Sequence, residues 1–268
     1  MNTKKTPSVL IIGCGWLGKK LGAELISQKY KVFGTTRSSS NFSTLSGLGI
    51  NPVKLILPVP KIDELHLPEA DTIIISLSPG REREQYPPNI NQLAQHFSAK
   101  KAQVIMYSST SVYNDLENEV DEKDSTPYKE SPNALLAAEA SLLEHCPDAV
   151  ILRLCGLYGD ERHPATHIAG RKNISDGDAP VNLVHRDDVI QITQKVIEGK
   201  VKHEILNVCS TSHPPKKEIY TDITERMELK KPHFLDGGEN SKVVSSEKAL
   251  KKLKVKLLHP DPAEFMKN

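Results

Sequence analysis

Val9-Leu10-Ile11-Ile12-Gly13-Cys14-Gly15-Trp16-Leu17-Gly18 carries two periodicities joined by a glycine turn. Residues 9–12 are continuously apolar, as a strand buried on both faces is, and from Leu17 onward the apolar positions Leu21, Leu25 and Ile26 fall at helical spacing. The segment reads as strand, tight turn, helix. Gly13, Gly15 and Gly18 stand at G-x-G-x-x-G spacing, which suits three separate demands: a tight turn, close approach of backbone to a pyrophosphate, and close packing of helix on strand. A helix that starts there offers unpaired N–H groups and the positive end of its dipole to an anion. The expectation is a dinucleotide site in which Gly13, Cys14, Gly15, Trp16, Leu17 and Gly18 meet the cofactor.

One helix later, residues 30–36 supply a second strand at the spacing of a βαβ unit, and its end bears on the choice of cofactor. An acid there binds the ribose hydroxyls of NAD, whereas a 2′-phosphate is repelled by an acid and favoured by arginine. The chain has Thr35-Thr36-Arg37-Ser38-Ser39-Ser40. Arg37 can pair bidentately with a phosphate and the hydroxyls, Thr36 among them, can add hydrogen bonds. NADP(H) is therefore preferred, with NAD(H) kept open.

Further strands are expected at residues 52–57, 71–77, 103–109, 149–154 and 204–208, alternating with helical stretches. This pattern indicates an α/β fold, a Rossmann-type doubly wound parallel sheet with a smaller C-terminal substrate lobe. Ile90, Leu93, Ala94 and Phe97 share one helix face; Ser131-Pro132 opens another helix; Asp187 or Asp188 caps the one ending near Gly199. Ligands in such sheets collect beyond the carboxyl ends of the strands. That singles out Ser78-Pro79-Gly80, residues 109–113 from Ser109 to Tyr113, and Cys155-Gly156-Leu157-Tyr158-Gly159, with Leu77 and Ser108 at the strand ends before the first two also expected at the cofactor.

Composition narrows the partners. In 268 residues, 35 Lys and Arg face 34 Asp and Glu, so no field of one sign recruits nucleic acid or an acidic membrane. A small-molecule substrate is expected, with monomer and homodimer both open. The lysines after Ser245-Ser246 read as a solvated helix face. No stretch approaches the roughly 18 apolar residues of a membrane span, and residues 9–12 are too short for a signal-peptide core. A soluble, cytoplasmic protein is expected. Cys14, Cys146, Cys155 and Cys209 are scattered without a C-x-x-C pair, which reads as buried thiols with neither a metal nor a disulfide framework.

Taken together, Gly13-x-Gly15-Trp16-Leu17-Gly18, Ser108-Ser109-Thr110-Ser111-Val112-Tyr113, Arg153-Leu154-Cys155-Gly156-Leu157-Tyr158-Gly159 and Asn182-Leu183-Val184-His185-Arg186-Asp187-Asp188 resemble the extended short-chain dehydrogenase/reductase superfamily, the NAD-dependent epimerase/dehydratase group. The Gly-Trp-Leu-Gly turn, Arg162-His163-Pro164 and the Asn-Leu-Val-His block look like its atypical YeeZ-like branch. The resemblance implies a cofactor domain over 1–159 and about 184–208, with a discontinuous substrate lobe over about 160–183 and 209–268. It implies hydride chemistry at an alcohol or ketone carbon, and it places Ser108, Cys155, Gly156 and Leu157 at the cofactor and Ser109 at the substrate's oxygen.

The same resemblance implies a tyrosine with a lysine four residues on, the ammonium lowering the phenol's pKa. The residues four beyond the seven tyrosines are Gly34, Ile90, Ser111, Glu117, Pro132, Arg162 and Thr224. No Y-x-x-x-K exists. With Glu139 aligned to the acid that follows the family lysine, Ser131 and Leu135 take the two positions. Tyr113 or Tyr158, and His163, are the substitutes for proton transfer, with packing beneath a sheet end the commoner role for either tyrosine; Arg162, His163, Asn182 and His185 are the candidate substrate contacts. A non-catalytic NAD(P)-binding regulator or scaffold is the alternative to an oxidoreductase or epimerase.

Overall fold

A computed structural model of the chain describes residues 5–80, 83–113, 118–160 and 162–266. Its strands are β1 (Ser8–Ile12), β2 (Lys31–Thr36), β3 (Asn51–Lys54), β4 (Thr72–Ile75), β5 (Gln103–Ser109), β6 (Glu119–Val120), β7 (Val150–Leu154), β8 (Gly156–Tyr158), β9 (Leu183–His185), β10 (Glu204–Val208) and β11 (Val243–Val244). Helices are α1 (Trp16–Ser27), α2 (Phe42–Gly47), α3 (Tyr86–Phe97), α4 (Ala134–His145), α5 (Arg186–Glu198), α6 (Lys216–Arg226) and α7 (Glu247–Leu253). The main sheet is parallel and seven-stranded, in the order β10-β7-β5-β4-β1-β2-β3, and is flanked by helices. That is a Rossmann-type α/β fold. Strand order reverses between β1 and β4, the switch point at which such sheets bind ligands.

The chain divides into two compact units. The first comprises 1–108, 127–152 and 200–205; the second comprises 109–126, 153–199 and 206–268. In the first, all of β1 and β4 is buried, which explains their unbroken apolar runs. On α3, Ile90, Leu93, Ala94 and Phe97 form the buried face, and this helix packs on α4. In the second unit, Ile219 and Ile223 of α6 pack with Tyr158, Ala165, Val181 and Leu183 in one apolar cluster.

Several local readings change. β3 stops at Lys54, short of the expected 57. α4 begins at Ala134, where the Asn133 side chain takes the Leu135 N–H at 3.0 Å; Asn133, not Ser131, is its cap. α5 is capped by His185 rather than by an aspartate. Cys155 and Cys209 form a disulfide, with Cα atoms 5.2 Å apart. The expectation of four free thiols is corrected: the ends of β7 and β10 lie side by side, with Cys155 N–H donating to Val208 O at 3.0 Å, and a sequence separation of 54 hides this neighbourhood. Cys14 and Cys146 are buried thiols, whose pKa values burial pushes up to about 12 and about 11. Among the described residues no helix is long and apolar enough to cross a membrane.

Candidate functional site

In the first unit the 13–18 segment leaves β1 and enters α1 with each glycine under a different constraint. Gly13 has φ +84°, and a Cβ on it would come within 2.8 Å of Leu77 Cδ2 and 2.9 Å of Ser76 O. Gly18 would place a Cβ 3.1 Å from Ile11 Cγ2. Gly15 differs: its Cβ would meet nothing nearer than Gly13 O at 4.0 Å, so open space lies where a side chain would project. Gly15 is also the residue that caps α1 and has no side chain with which to do so, and no acid occupies the helix's first turn. The missing Cβ and the absence of a capping side chain at Gly15 together fit an anionic group laid against the backbone.

The surroundings hold this turn in place. Thr35 Oγ1 accepts the Gly13 N–H at 2.8 Å and Thr35 O accepts the Cys14 N–H at 2.9 Å, tying the turn to β2. Beyond β2, Thr36 Oγ1 accepts from Asn41 Nδ2 at 3.1 Å, and Ser38 and Ser40 share a hydroxyl bond of 2.7 Å. Arg37 is exposed on this loop. After β4, Leu77 O accepts from Tyr86 Oη at 3.2 Å and Ser78 Oγ accepts the Gly80 N–H at 3.2 Å, which fixes the backbone on either side of Pro79. Ser108 is buried and donates to the fully buried Glu139 at 2.5 Å. At the aligned positions of the family pair, Ser131 lies ahead of α4 and accepts the Asn133 N–H at 3.2 Å, while Leu135 is buried in the helix's first turn.

In the second unit Ser109 is half-buried; its Oγ takes the Ser111 N–H at 3.2 Å, which leaves its own O–H to give. Tyr113 is fully buried. Its hydroxyl donates to Asn207 Oδ1 at 2.7 Å and accepts from Arg153 Nη1 at 3.0 Å, and burial, opposed by Arg153, raises its pKa. The expectation that Tyr113 exchanges a proton is corrected: it serves a buried network. Gly156 lies in β8, where its N–H donates to Asn182 O at 3.0 Å and its missing side chain makes room for Leu183, with Leu157 following in the same strand. Arg162 is exposed and bridges to Gly159; the neighbouring Glu161 lies outside the described residues.

His163 is also corrected. It is fully buried, takes the Ala165 N–H on Nδ1 at 3.1 Å as the cap of the Pro164–His167 turn, and stacks on Phe265 with ring centroids 5.1 Å apart. Burial, with Arg226 adding to it, holds its pKa down to about 4 against an ordinary 6.5. Between those two values the unfolded chain takes up a proton that the folded chain refuses, so stability falls with acid, by about 3 kcal/mol at pH 4. His163→Asn keeps an acceptor for the Ala165 N–H and removes the titration. Urea unfolding of this variant across pH 4 to 7 is expected to show a flatter decline than wild type; parallel curves would contradict the assignment.

Asn182 tethers the segment that follows the 236–240 loop, Nδ2 donating to Lys242 O at 2.9 Å and Oδ1 accepting the Val244 N–H at 2.8 Å. It also lines a cleft of about 760 Å³ with Asp176, Lys216, Tyr220, Glu239 and Lys242. Of the four substrate contacts expected from sequence, only Asn182 reaches this cleft. His185 is buried at the end of β9, beneath His259 and against Tyr158. The 236–240 loop supplies part of the wall, although its Asp-Gly-Gly-Glu-Asn composition signals only a turn.

Protein YeeZ of Escherichia coli strain K12 is 31% identical over 272 residues, which covers 95% of this chain and 97% of that one. The chain belongs to the extended short-chain dehydrogenase/reductase superfamily, in its YeeZ-like branch. A second superfamily relative, the decarboxylating sterol-4-alpha-carboxylate 3-dehydrogenase of Dictyostelium discoideum, is 25% identical over 245 residues, 78% of this chain and 73% of that one. Among solved structures, the superfamily fold is shared with UDP-glucuronic acid 4-epimerase from Bacillus cereus, solved in complex with NAD. Its TM-score is 0.77 at 19% identity, over 96% of this chain and 95% of that chain. No protein-family model matches the sequence.

Proposed function

We propose that this chain binds a nicotinamide dinucleotide along the 13–18 turn, NADP(H) in preference to NAD(H). We further propose that it acts as an oxidoreductase or epimerase-like enzyme on a small polar substrate, nucleotide sugars included. The observation that carries this reading is Gly15 at the start of α1, where open space stands in place of a capping side chain. The Bacillus cereus epimerase, solved with NAD, supports the same cofactor class. When bound, the dinucleotide supplies a hydride acceptor or donor. Ser109 then offers its free O–H to the substrate's oxygen, and the cleft around Lys216, Lys242, Asp176 and Glu239 offers both signs of charge to a polar ligand. In a cytoplasmic setting the substrate is a soluble metabolite and not a nucleic acid.

The preference for a 2′-phosphate rests on Arg37 and on the absence of an acid at the end of β2. Arg37→Ala is expected to weaken NADPH roughly tenfold or more and to leave NADH within about twofold, since only one of the two carries the phosphate. Titration of both cofactors against wild type and variant decides it; an unchanged ratio removes Arg37 from the reading.

A second reading has its own observation. No lysine follows a tyrosine at the family spacing, and Tyr113 is fully engaged by Arg153 and Asn207. A serine hydroxyl does not replace a phenolate unaided. This favours a protein that holds NAD(P) and does no chemistry. Hydride exchange between 4-deuterated NADPH and a panel of carbonyl compounds and nucleotide sugars separates the two. Stereospecific label transfer supports the enzyme, and tight binding without transfer supports the regulator.

A further inference from the structure

We propose that His185, Asp187 and His259 form a site for one divalent transition-metal ion of the zinc class. Each of the three offers one ligand atom, and these atoms all lie within 4.8 Å of one another. His185 Nδ1 and Asp187 Oδ2 are 3.9 Å apart. Zinc bonds to imidazole and carboxylate are about 2.0–2.2 Å long, so an ion between those two atoms needs only a small closure of the gap. It would take over Nδ1 from the Asp187 N–H, whose present bond to that atom is 3.2 Å. Two imidazoles and one carboxylate are a borderline nitrogen and oxygen set, suited to Zn²⁺, Co²⁺ and Ni²⁺ and poorly suited to Mg²⁺ or Ca²⁺.

The ligands come from separated parts of the chain, and the fold keeps them together. His185 ends β9, Asp187 lies in the first turn of α5, and His259 belongs to the segment after α7. The imidazoles of His185 and His259 have centroids only 3.7 Å apart. Asp188, fully buried, accepts the N–H groups of Leu258 at 2.5 Å and His259 at 3.1 Å. Ser210 Oγ donates to His259 O at 3.3 Å, and the N–H groups of Thr211 and Ser212 both reach Pro260 O at 3.1 Å. The backbone that presents His259 is thus fixed from both sides, the kind of outer support that orients metal ligands.

Asp187 Oδ1 is a buried carboxylate oxygen without a hydrogen-bond partner. Arg186 Nε forms an ion pair with that oxygen at 3.8 Å, beyond hydrogen-bond length, while its Nη2 is held by Asp160 at 2.5 Å. A buried carboxylate oxygen without a hydrogen bond is incompletely compensated, and an ion on Oδ2 of the same carboxylate would add to what Arg186 supplies. The ion would fasten the 258–265 segment to β9 and α5, and three protein ligands would leave a coordination position for water.

The test uses the full chain stripped with a chelator and titrated with Zn²⁺ against a competing indicator. Binding of one equivalent is expected, with a rise in Tm at saturation. His259→Gln alters an exposed side chain and Asp187→Asn a half-exposed one. Each variant is expected to weaken Zn²⁺ roughly 100-fold and to lose the Tm rise on adding the ion, measured against its own metal-free Tm, while its NADPH affinity stays at the wild-type value. Wild type should also bind Co²⁺ with visible absorption from an imidazole and carboxylate set. No binding tighter than roughly 100 µM, or one equivalent that both variants retain, overturns the site. NADPH binding by the metal-free chain keeps this outcome separate from that of the dinucleotide proposal.

Discussion

Gly15→Asp should lower dinucleotide affinity by roughly 100-fold or more while Tm changes little, because a carboxylate would project into the space reserved for an anion. A Cβ at this position meets nothing closer than ordinary van der Waals contact, so folding has no reason to object. Gly13→Ala should do the reverse in kind. Its Cβ would press on Leu77 Cδ2 and Ser76 O, at a residue with φ +84°, and the expected loss of stability is about 1–3 kcal/mol. The contrast matters because both glycines belong to one motif. If Gly15→Asp unfolds the protein, or binds NADPH normally, the open space beside Gly15 is not a ligand space.

Arg153→Met should cost about 3 kcal/mol, measured by urea unfolding. Arg153 has no exposed surface, and its two terminal nitrogens donate to Tyr113 Oη and Ser125 O, each at 3.0 Å. The guanidinium also lies 5.2 Å from the centre of the Tyr113 ring. Methionine fills a similar length with no donors, which leaves Ser125 O without this bond and Tyr113 Oη with one partner fewer. Tyr113 hands the network to Asn207, whose N–H donates to Glu122 at 2.7 Å and whose side chain reaches Ser245 O at 3.1 Å. Tyr113→Phe removes one hydroxyl from the same network and should cost less, about 1 kcal/mol. A loss below about 1 kcal/mol for Arg153→Met would show that the network is not what holds this region.

Local patterns were legible in the sequence, and relations between distant segments were not. Residues 103–109 and 204–208 read as strands from their own side chains and are strands over those bounds. The turn at Gly13 to Gly18 was legible because its glycine spacing and the strand and helix periodicities on either side are contiguous, although the residues that pack against it, Thr35, Ser76 and Leu77, are not. Caps were harder: Ser131, Asn133, Asp187 and Asp188 are all good capping types, and the choice of Asn133 and His185 depends on where each helix axis begins. The disulfide has no local signature because only the pairing of strand ends brings Cys155 to Cys209. His163 looked like a titrating loop residue from its Arg-His-Pro setting, yet Phe265, almost at the chain's end, covers it. Likewise the cleft draws on residues from 176 to 242, and no single stretch of sequence announces it.

The central claim, that the start of α1 holds a nicotinamide dinucleotide, has a built-in reporter. Trp16 is the chain's single tryptophan and is the first residue of α1. Its emission, followed while NADPH is titrated into the protein, should be quenched saturably at one equivalent. The same titration should fail with Gly15→Asp and shift to higher concentration with Arg37→Ala. An emission that neither NADPH nor NADH alters, together with a Tm that neither raises, would contradict the account.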